Sequence, residues 1–175
     1  MNKSIVSTSV RMMRIRKYIF LILTLAWMIV VFMFSNSPGD ESGAISREVG
    51  RLFCTIFVPG YEEMTLMEQE DLALLLDHPI RKLAHFTEYM ILGALMVGIP
   101  QFTEKADCWK RGLIVWGIAC LYAVSDEVHQ LFVPGRDGAV KDVLLDSSGA
   151  LVGVLLGLIV VRICVRTKNK AGEQI

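Results

Sequence analysis

Four apolar runs, separated by polar segments of unequal length, set the frame of this chain. Tyr18 to Phe34 is interrupted only by Thr24. Ile80 to Ile99 is polar in its first half and, from Met90, apolar apart from glycines until Pro100 stops it. Gly112 to Val124 has no charged residue, and the run continues to Phe132. Ala139 to Val161 is charged only near its start. Each run approaches the roughly 20 residues that a helix needs to cross a bilayer. Spans are therefore predicted at about 18–34, 80–99, 112–132 and 139–161. The first is read as an uncleaved span rather than a signal peptide, because a turn, Phe34-Ser35-Asn36-Ser37-Pro38-Gly39, follows it where a small-residue cleavage site would stand.

Between the first two runs the period changes. Ile45, Val49, Leu52, Phe53 and Ile56 recur as one face of a helix, expected to lie on the membrane surface or against the other helices. Thr65-x-x-Glu68 has the form of a capping box and opens a short helix over Leu66–Leu76. Asp77-His78-Pro79 then reads as the start of the second span.

Composition agrees with this frame. Of 175 residues, 53% are hydrophobic and 21% charged, with mean hydropathy +0.48. A soluble domain usually carries about a quarter of its residues as charges. The length suits one polytopic domain, 1–175, and leaves no room for a second. The four cysteines (54, 108, 120, 164) have no Cys-x-x-Cys spacing and read as free packing residues, Cys108 within a cytoplasmic loop.

Net charge is zero, but its distribution is uneven. Residues 35–78 hold nine acids against Arg47 and Arg51. The 101–111 linker (Lys105, Lys110, Arg111), the N-terminal segment and the tail hold 12 of the 18 basic residues, all on one side of a four-span topology. The positive-inside rule then places both termini in the cytoplasm and the 35–78 segment and the 133–138 turn outside.

Three polar clusters fall in that same outer leaflet. Arg81, His85, Glu88 and Tyr89 share one face of span two; Asp126, His129 and Gln130, with Ser125 beside them, share one of span three; Asp142 and Asp146 lie one turn apart on span four. Arg136 sits in the turn between the last two. Ionisable residues within a membrane segment are by default a candidate functional site. Gly149, Gly153 and Gly157, with Ala94 and Gly98, form small-residue faces that let helices approach closely. Lys82 and Lys141 fit snorkelling side chains, and Trp27, Trp109 and Trp116 fit core or interfacial anchors. Glu127 is rotated about 100° from Asp126 and is expected to face another helix.

Arg81-Lys82-x-Ala84-His85-Phe86-x-Glu88-Tyr89, Ser125-Asp126-Glu127-x-His129-Gln130-x-Phe132-x-Pro134-Gly135-Arg136 and Asp142-x-x-x-Asp146-x-x-Gly149, in this order, resemble the VanZ-like family over about residues 20–160. The turn after span one resembles the family's Phe-Ser-x-Gln-Pro-Gly, with Ser37 where glutamine is common, and position 146 is often asparagine in the family. The resemblance implies a cell-envelope role in Gram-positive bacteria, lowering teicoplanin susceptibility through reduced glycopeptide binding. It implies no settled chemistry.

Three mechanisms fit the residues. In the first, Arg81, Lys82 and Arg136 hold phosphate oxygens of an envelope lipid or lipid-linked wall precursor, while His85 or His129 acts as nucleophile or acid/base, oriented by Asp126, Glu88 or Asp142. In the second, His85, His129 and a carboxylate hold a metal, although no compact metal motif is present and the arginines oppose it. In the third, the polar residues bind a headgroup, a peptide terminus or the antibiotic, or form a structural network. The expectation is therefore an all-α integral membrane bundle of four transmembrane helices with short extracytoplasmic amphipathic helices. Its site has His85, His129, Asp126 and Glu88 as catalytic candidates and Arg81, Arg136, Tyr89, Ser125, Gln130, Asp142 and Asp146 as binding candidates. No metal or other cofactor is assigned, and no nucleic-acid partner is expected.

Overall fold

A computed structural model describes residues 3–99 and 108–172, with side chains over 11–99 and 109–164. The described residues form five α-helices and no strand: α1 (Lys3–Ser35), α2 (Gly39–Phe57), α3 (Leu66–Val97), α4 (Cys108–Gln130) and α5 (Val140–Gly172), with a 3-10 turn at Tyr61–Glu63. The linker and Pro100 fall at 100–107, outside the described residues, apart from Cys108–Arg111, which open α4.

The capping box forms: Glu68 N–H donates to the Thr65 hydroxyl at 3.3 Å and Thr65 N–H to the Glu68 carboxylate at 2.8 Å. The expected break at Pro79 does not. The 66–76 segment and the second span are one 32-residue helix with Pro79 inside it. An internal proline costs a helix about 3 kcal/mol or more. Here α2 braces the join, since Gly50 lies against Ala73, Leu76 and Ile80 on both sides of Pro79. Tertiary packing outweighs the local signal.

α2 also turns an unexpected face to its neighbour. Its buried residues are Gly43, Ser46, Gly50 and Cys54, a stripe of small side chains that seats the helix closely on α3. The apolar stripe Ile45, Val49, Leu52, Phe53 and Ile56 points outward and stays exposed. Of the two places expected for that stripe, the other helices are therefore not the one it takes.

α3 is the central helix, touching each of the other four, and α5 is its most extensive neighbour. The α3–α5 seam is backbone-close: a Cβ at Gly153 would stand 1.9 Å from the Met90 carbonyl oxygen, and one at Gly149 2.3 Å from that of Phe86. Gly98 faces α1 instead, under the Phe20 ring. Around the seam, Val31, Tyr89, Leu92, Val115, Ala119 and Val154 form the main core. Two indoles tie helices together, Trp27 donating to the Glu88 carbonyl and Trp116 to that of Ser147, each at 2.9 Å.

Among the described residues, Arg11–Ser35 and Val140–Cys164 are long and apolar enough to cross a membrane. The segments 80–99 and 112–132 are less apolar, because Arg81, Lys82 and Glu88 occupy the first and Asp126 and Glu127 the second. α4 nevertheless shows an exposed apolar stripe, Ile114, Ile118, Leu121 and Val128.

Candidate functional site

Two turns build the site. Gly39 N–H, at the start of α2, donates to the Pro134 carbonyl at 3.0 Å. The turns 34–39 and 133–138 thus lie back to back, so closely that a Cβ at Gly39 would come within 2.0 Å of the Gly135 carbonyl oxygen. Gly135 itself takes φ +71°, a conformation that favours glycine. Arg136 clamps the pair: its Nε donates to the Ser37 carbonyl at 3.1 Å and its guanidinium to the Phe34 carbonyl at 3.2 Å. A cation there also opposes the negative end of the α1 dipole.

This docking brings the end of α1 against the end of α4. The Ser35 hydroxyl donates to Asp126 Oδ2 at 2.7 Å, and Gln130 Nε2 donates to the same oxygen at 3.2 Å. Asp126, 3% exposed, keeps its Oδ1 buried and without a hydrogen-bond partner among the described residues.

Across from it, α3 contributes Arg81, Lys82, His85 and Glu88. Arg81 pairs with Asp77 one turn earlier, at 2.8 and 3.0 Å. Asp77 also accepts from the Ser46 hydroxyl of α2. Burial pushes the Asp77 carboxyl up, but the Ser46 hydroxyl and the Arg81 guanidinium outweigh it and hold the group below its ordinary value. Lys82 forms an ion pair with Asp142 of α5. His85 Nδ1 stands 3.5 Å from Glu88 Oε2.

A polar cavity of about 620 Å³ opens between these elements, lined by Arg81, Lys82, His85, Gln130, Arg136, Asp142 and Asp146. Glu127 lines it as well, while accepting the Ala139 N–H just before α5 at 2.9 Å. A second, apolar groove of about 470 Å³ runs between α1, α2 and α3 past Trp27, Ile45, Val49, Leu83 and Ile91. It shares Arg81, His85 and Arg136 with the first, so these three stand at the junction.

Not every candidate joins this cluster. His129 approaches Asn36 Oδ1 at 3.2 Å and packs on the Phe32 ring at 4.7 Å, on the α1 side. Ser125 is exposed and returns its hydroxyl to the Tyr122 carbonyl of its own helix at 2.7 Å. Tyr89 is fully buried, its ring 6.0 Å from that of Tyr122. Ser35, Asn36, Asp77 and Glu127 are contributors that were not among the candidate site residues. The turn motif at 34–39 was the local signal for the first two, while Asp77 read as a helix start and Glu127 was expected to face another helix.

The arrangement follows the three motifs already quoted, which meet around one cavity although more than 60 residues separate first from last. A family model described as VanZ/LLP1 matches residues 20–161. The chain belongs to the VanZ/LLP1 family. No curated protein and no solved structure matches it. Membership and the two long apolar helices mark this VanZ/LLP1 chain as a membrane protein.

Proposed function

We propose that this VanZ/LLP1 protein spans the cell membrane four times, with both termini cytoplasmic, and uses its outward-facing cavity to hold the phosphorylated headgroup of an envelope lipid or lipid-linked wall precursor. Its biological effect is then to alter the cell surface and lower glycopeptide, and specifically teicoplanin, susceptibility. One observation carries the reading: the polar cavity and the apolar groove meet at Arg81, His85 and Arg136. An amphiphile needs that combination, with cations for phosphate oxygens on one side and an apolar trough for an acyl chain on the other.

Chemistry, in this reading, rests on His85. It lines the cavity beside the cations, with Glu88 within reach to orient its ring. His129 engages Asn36 and Phe32 instead. That separation also favours a second reading, a non-enzymatic headgroup-binding protein, because two histidines acting in relay are not available at the cavity.

The test compares His85→Ala and His85→Gln in cells challenged with teicoplanin, with insertion and folding verified. Loss of protection in both supports chemistry at His85. Protection retained by glutamine alone favours binding. Full protection in the alanine variant sinks the catalytic form of the proposal.

A further inference from the structure

Three side chains from three helices converge, and among the described residues neither of the two carboxylates has a cation paired to it. His85 (α3), Asp126 (α4) and Asp146 (α5) each present one ligand atom such that all three atoms lie within 4.8 Å of one another. Asp146 is 1% exposed, and neither of its carboxylate oxygens has a hydrogen-bond partner among the described residues. Asp126 Oδ1 and His85 Nδ1 are likewise buried with no hydrogen bond among the described residues, His85 Nδ1 having the Glu88 carboxylate 3.5 Å away. A buried carboxylate with no donor is costly, and proteins relieve such a group by pairing or by a metal.

Of the four lysine and arginine side chains that line the cavity, all but Lys141 are engaged. Arg81 is bound to Asp77, Lys82 to Asp142, and Arg136 to two carbonyls of the α1 turn. Arg81 and Lys82 are thus each matched by a carboxylate, whereas Arg136, held by neutral carbonyls, keeps its charge; the buried acids Asp126, Glu127 and Asp146 outnumber it.

We propose that His85, Asp126 and Asp146 form a divalent-cation site bordering the polar cavity, of the zinc or manganese class. One imidazole nitrogen and two carboxylate oxygens suit such an ion, and an open position would remain. Around a tetrahedral zinc with bonds of 2.0–2.2 Å the donors stand about 3.4 Å apart. A contraction of up to about 1.4 Å therefore accompanies loading, within reach of side-chain rotation on three fixed helices. An asparagine at position 146 would keep one carbonyl oxygen but surrender the charge, so this chain's aspartate makes the stronger site. Ser35 and Gln130, both bound to Asp126 Oδ2, leave Oδ1 for the ion and hold the carboxylate in place. The site shares His85 with the chemistry proposed above, but metal binding is read apart from protection against teicoplanin, so either can fail without the other.

The experiment uses the full chain purified in detergent, stripped with a chelator, then titrated with Zn²⁺, Mn²⁺, Mg²⁺ and Ca²⁺ while thermal unfolding and bound metal are measured. The expected result is one Zn²⁺ or Mn²⁺ per chain with a raised unfolding temperature, both lost or weakened at least tenfold in Asp146→Asn and His85→Ala. Asp146→Asn has a second role. Removing an uncompensated buried charge should leave the metal-free variant at least as stable as the metal-free wild type, which shows that it folds. No bound Zn²⁺ or Mn²⁺ in the wild type, unchanged binding in both variants, or binding of Mg²⁺ or Ca²⁺ alone each overturns the proposal.

Discussion

Ser35 and Asp126 lie 91 residues apart in the chain and 2.7 Å apart in the fold, the serine hydroxyl donating to Oδ2 of a buried carboxylate. This bond joins the last residue of α1 to the last turn and a half of α4. Hydrogen bonds between membrane helices average about 0.6 kcal/mol, with a maximum near 1.7. Bonds to charged groups run about 1.5–3 kcal/mol. Because Gln130 is the other donor to that oxygen, Ser35→Ala is expected to cost about 1.5 kcal/mol, near the top of the membrane range. Thermal or denaturant unfolding in detergent measures it, and a cost under about 0.3 kcal/mol would show that the junction does not depend on this bond.

That contact marks how far the chain pattern could be read. Helix periodicity depends on neighbours within a turn or two, so the helical stretches and the capping box at Thr65 were legible from local residues. Pro79 was misread for the same reason: its local preference is to end a helix, and only α2, seated by Gly50 across the join, overrides it. On α2 the large apolar stripe left the membrane surface and the other helices both open as its partner, and close packing against α3 selected the small stripe of Gly43, Ser46, Gly50 and Cys54 for the helix contact. At the site, periodicity grouped residues along each helix but carried no rotation between helices. His85 therefore meets Asp126 and Asp146, whereas His129, on the same helix as Asp126, faces α1.

Asp77 makes a pH dependence. Its carboxyl is held below the ordinary value by Ser46 and Arg81 against the opposing effect of burial. A group depressed in the folded state contributes stability that is present above its unfolded value, near 3.9, and lost as pH falls through the folded one. The difference in unfolding temperature between wild type and Asp77→Asn should be constant from pH 7 to about pH 5. It should shrink below about pH 4. At neutral pH the variant is expected to lose about 2 kcal/mol, the order of a hydrogen bond to a charged group. A gap that widens on acidification reverses the assignment.

Gly153 tests the seam that holds α3 against α5. A methyl group there would stand 1.9 Å from the Met90 carbonyl oxygen, which is backbone and cannot swing aside. Gly153→Ala must separate the two helices, and overpacking of this kind costs about 1–3 kcal/mol. The same substitution at Gly117, where an added Cβ meets nothing within 4 Å, should be neutral or slightly stabilising through helix propensity. Equal effects at the two positions would remove the argument for close approach.

The proposed topology predicts labelling. Asp137→Cys lies in the turn that faces outward in the four-span arrangement, and Lys105→Cys in the linker that faces the cytoplasm. In a background whose native cysteines have been replaced, an impermeant thiol reagent added to intact cells should modify the first and spare the second. The opposite pattern inverts the protein and turns the cavity inward, which removes its access to an outer-leaflet lipid.

Arg136 distinguishes a clamp from a plain charge. Its Nε and one terminal nitrogen bind the carbonyls of Ser37 and Phe34, while the guanidinium also borders both the cavity and the groove. Lysine keeps the charge but not the planar fork. If Arg136 acts only as a positive charge beside the cavity, Arg136→Lys preserves both stability and protection against teicoplanin. The two-carbonyl geometry predicts otherwise: the junction of the 34–39 and 133–138 turns loosens, stability falls by about 1–2 kcal/mol as two hydrogen bonds become one, and Asp126 loses its alignment with Ser35. Protection should then fall together with stability in Arg136→Lys. By contrast, Lys141→Met, at a residue on the cavity rim with no ion pair among the described residues, should leave stability unchanged. Measuring both variants in the same cells and in the same detergent separates the clamp from the charge.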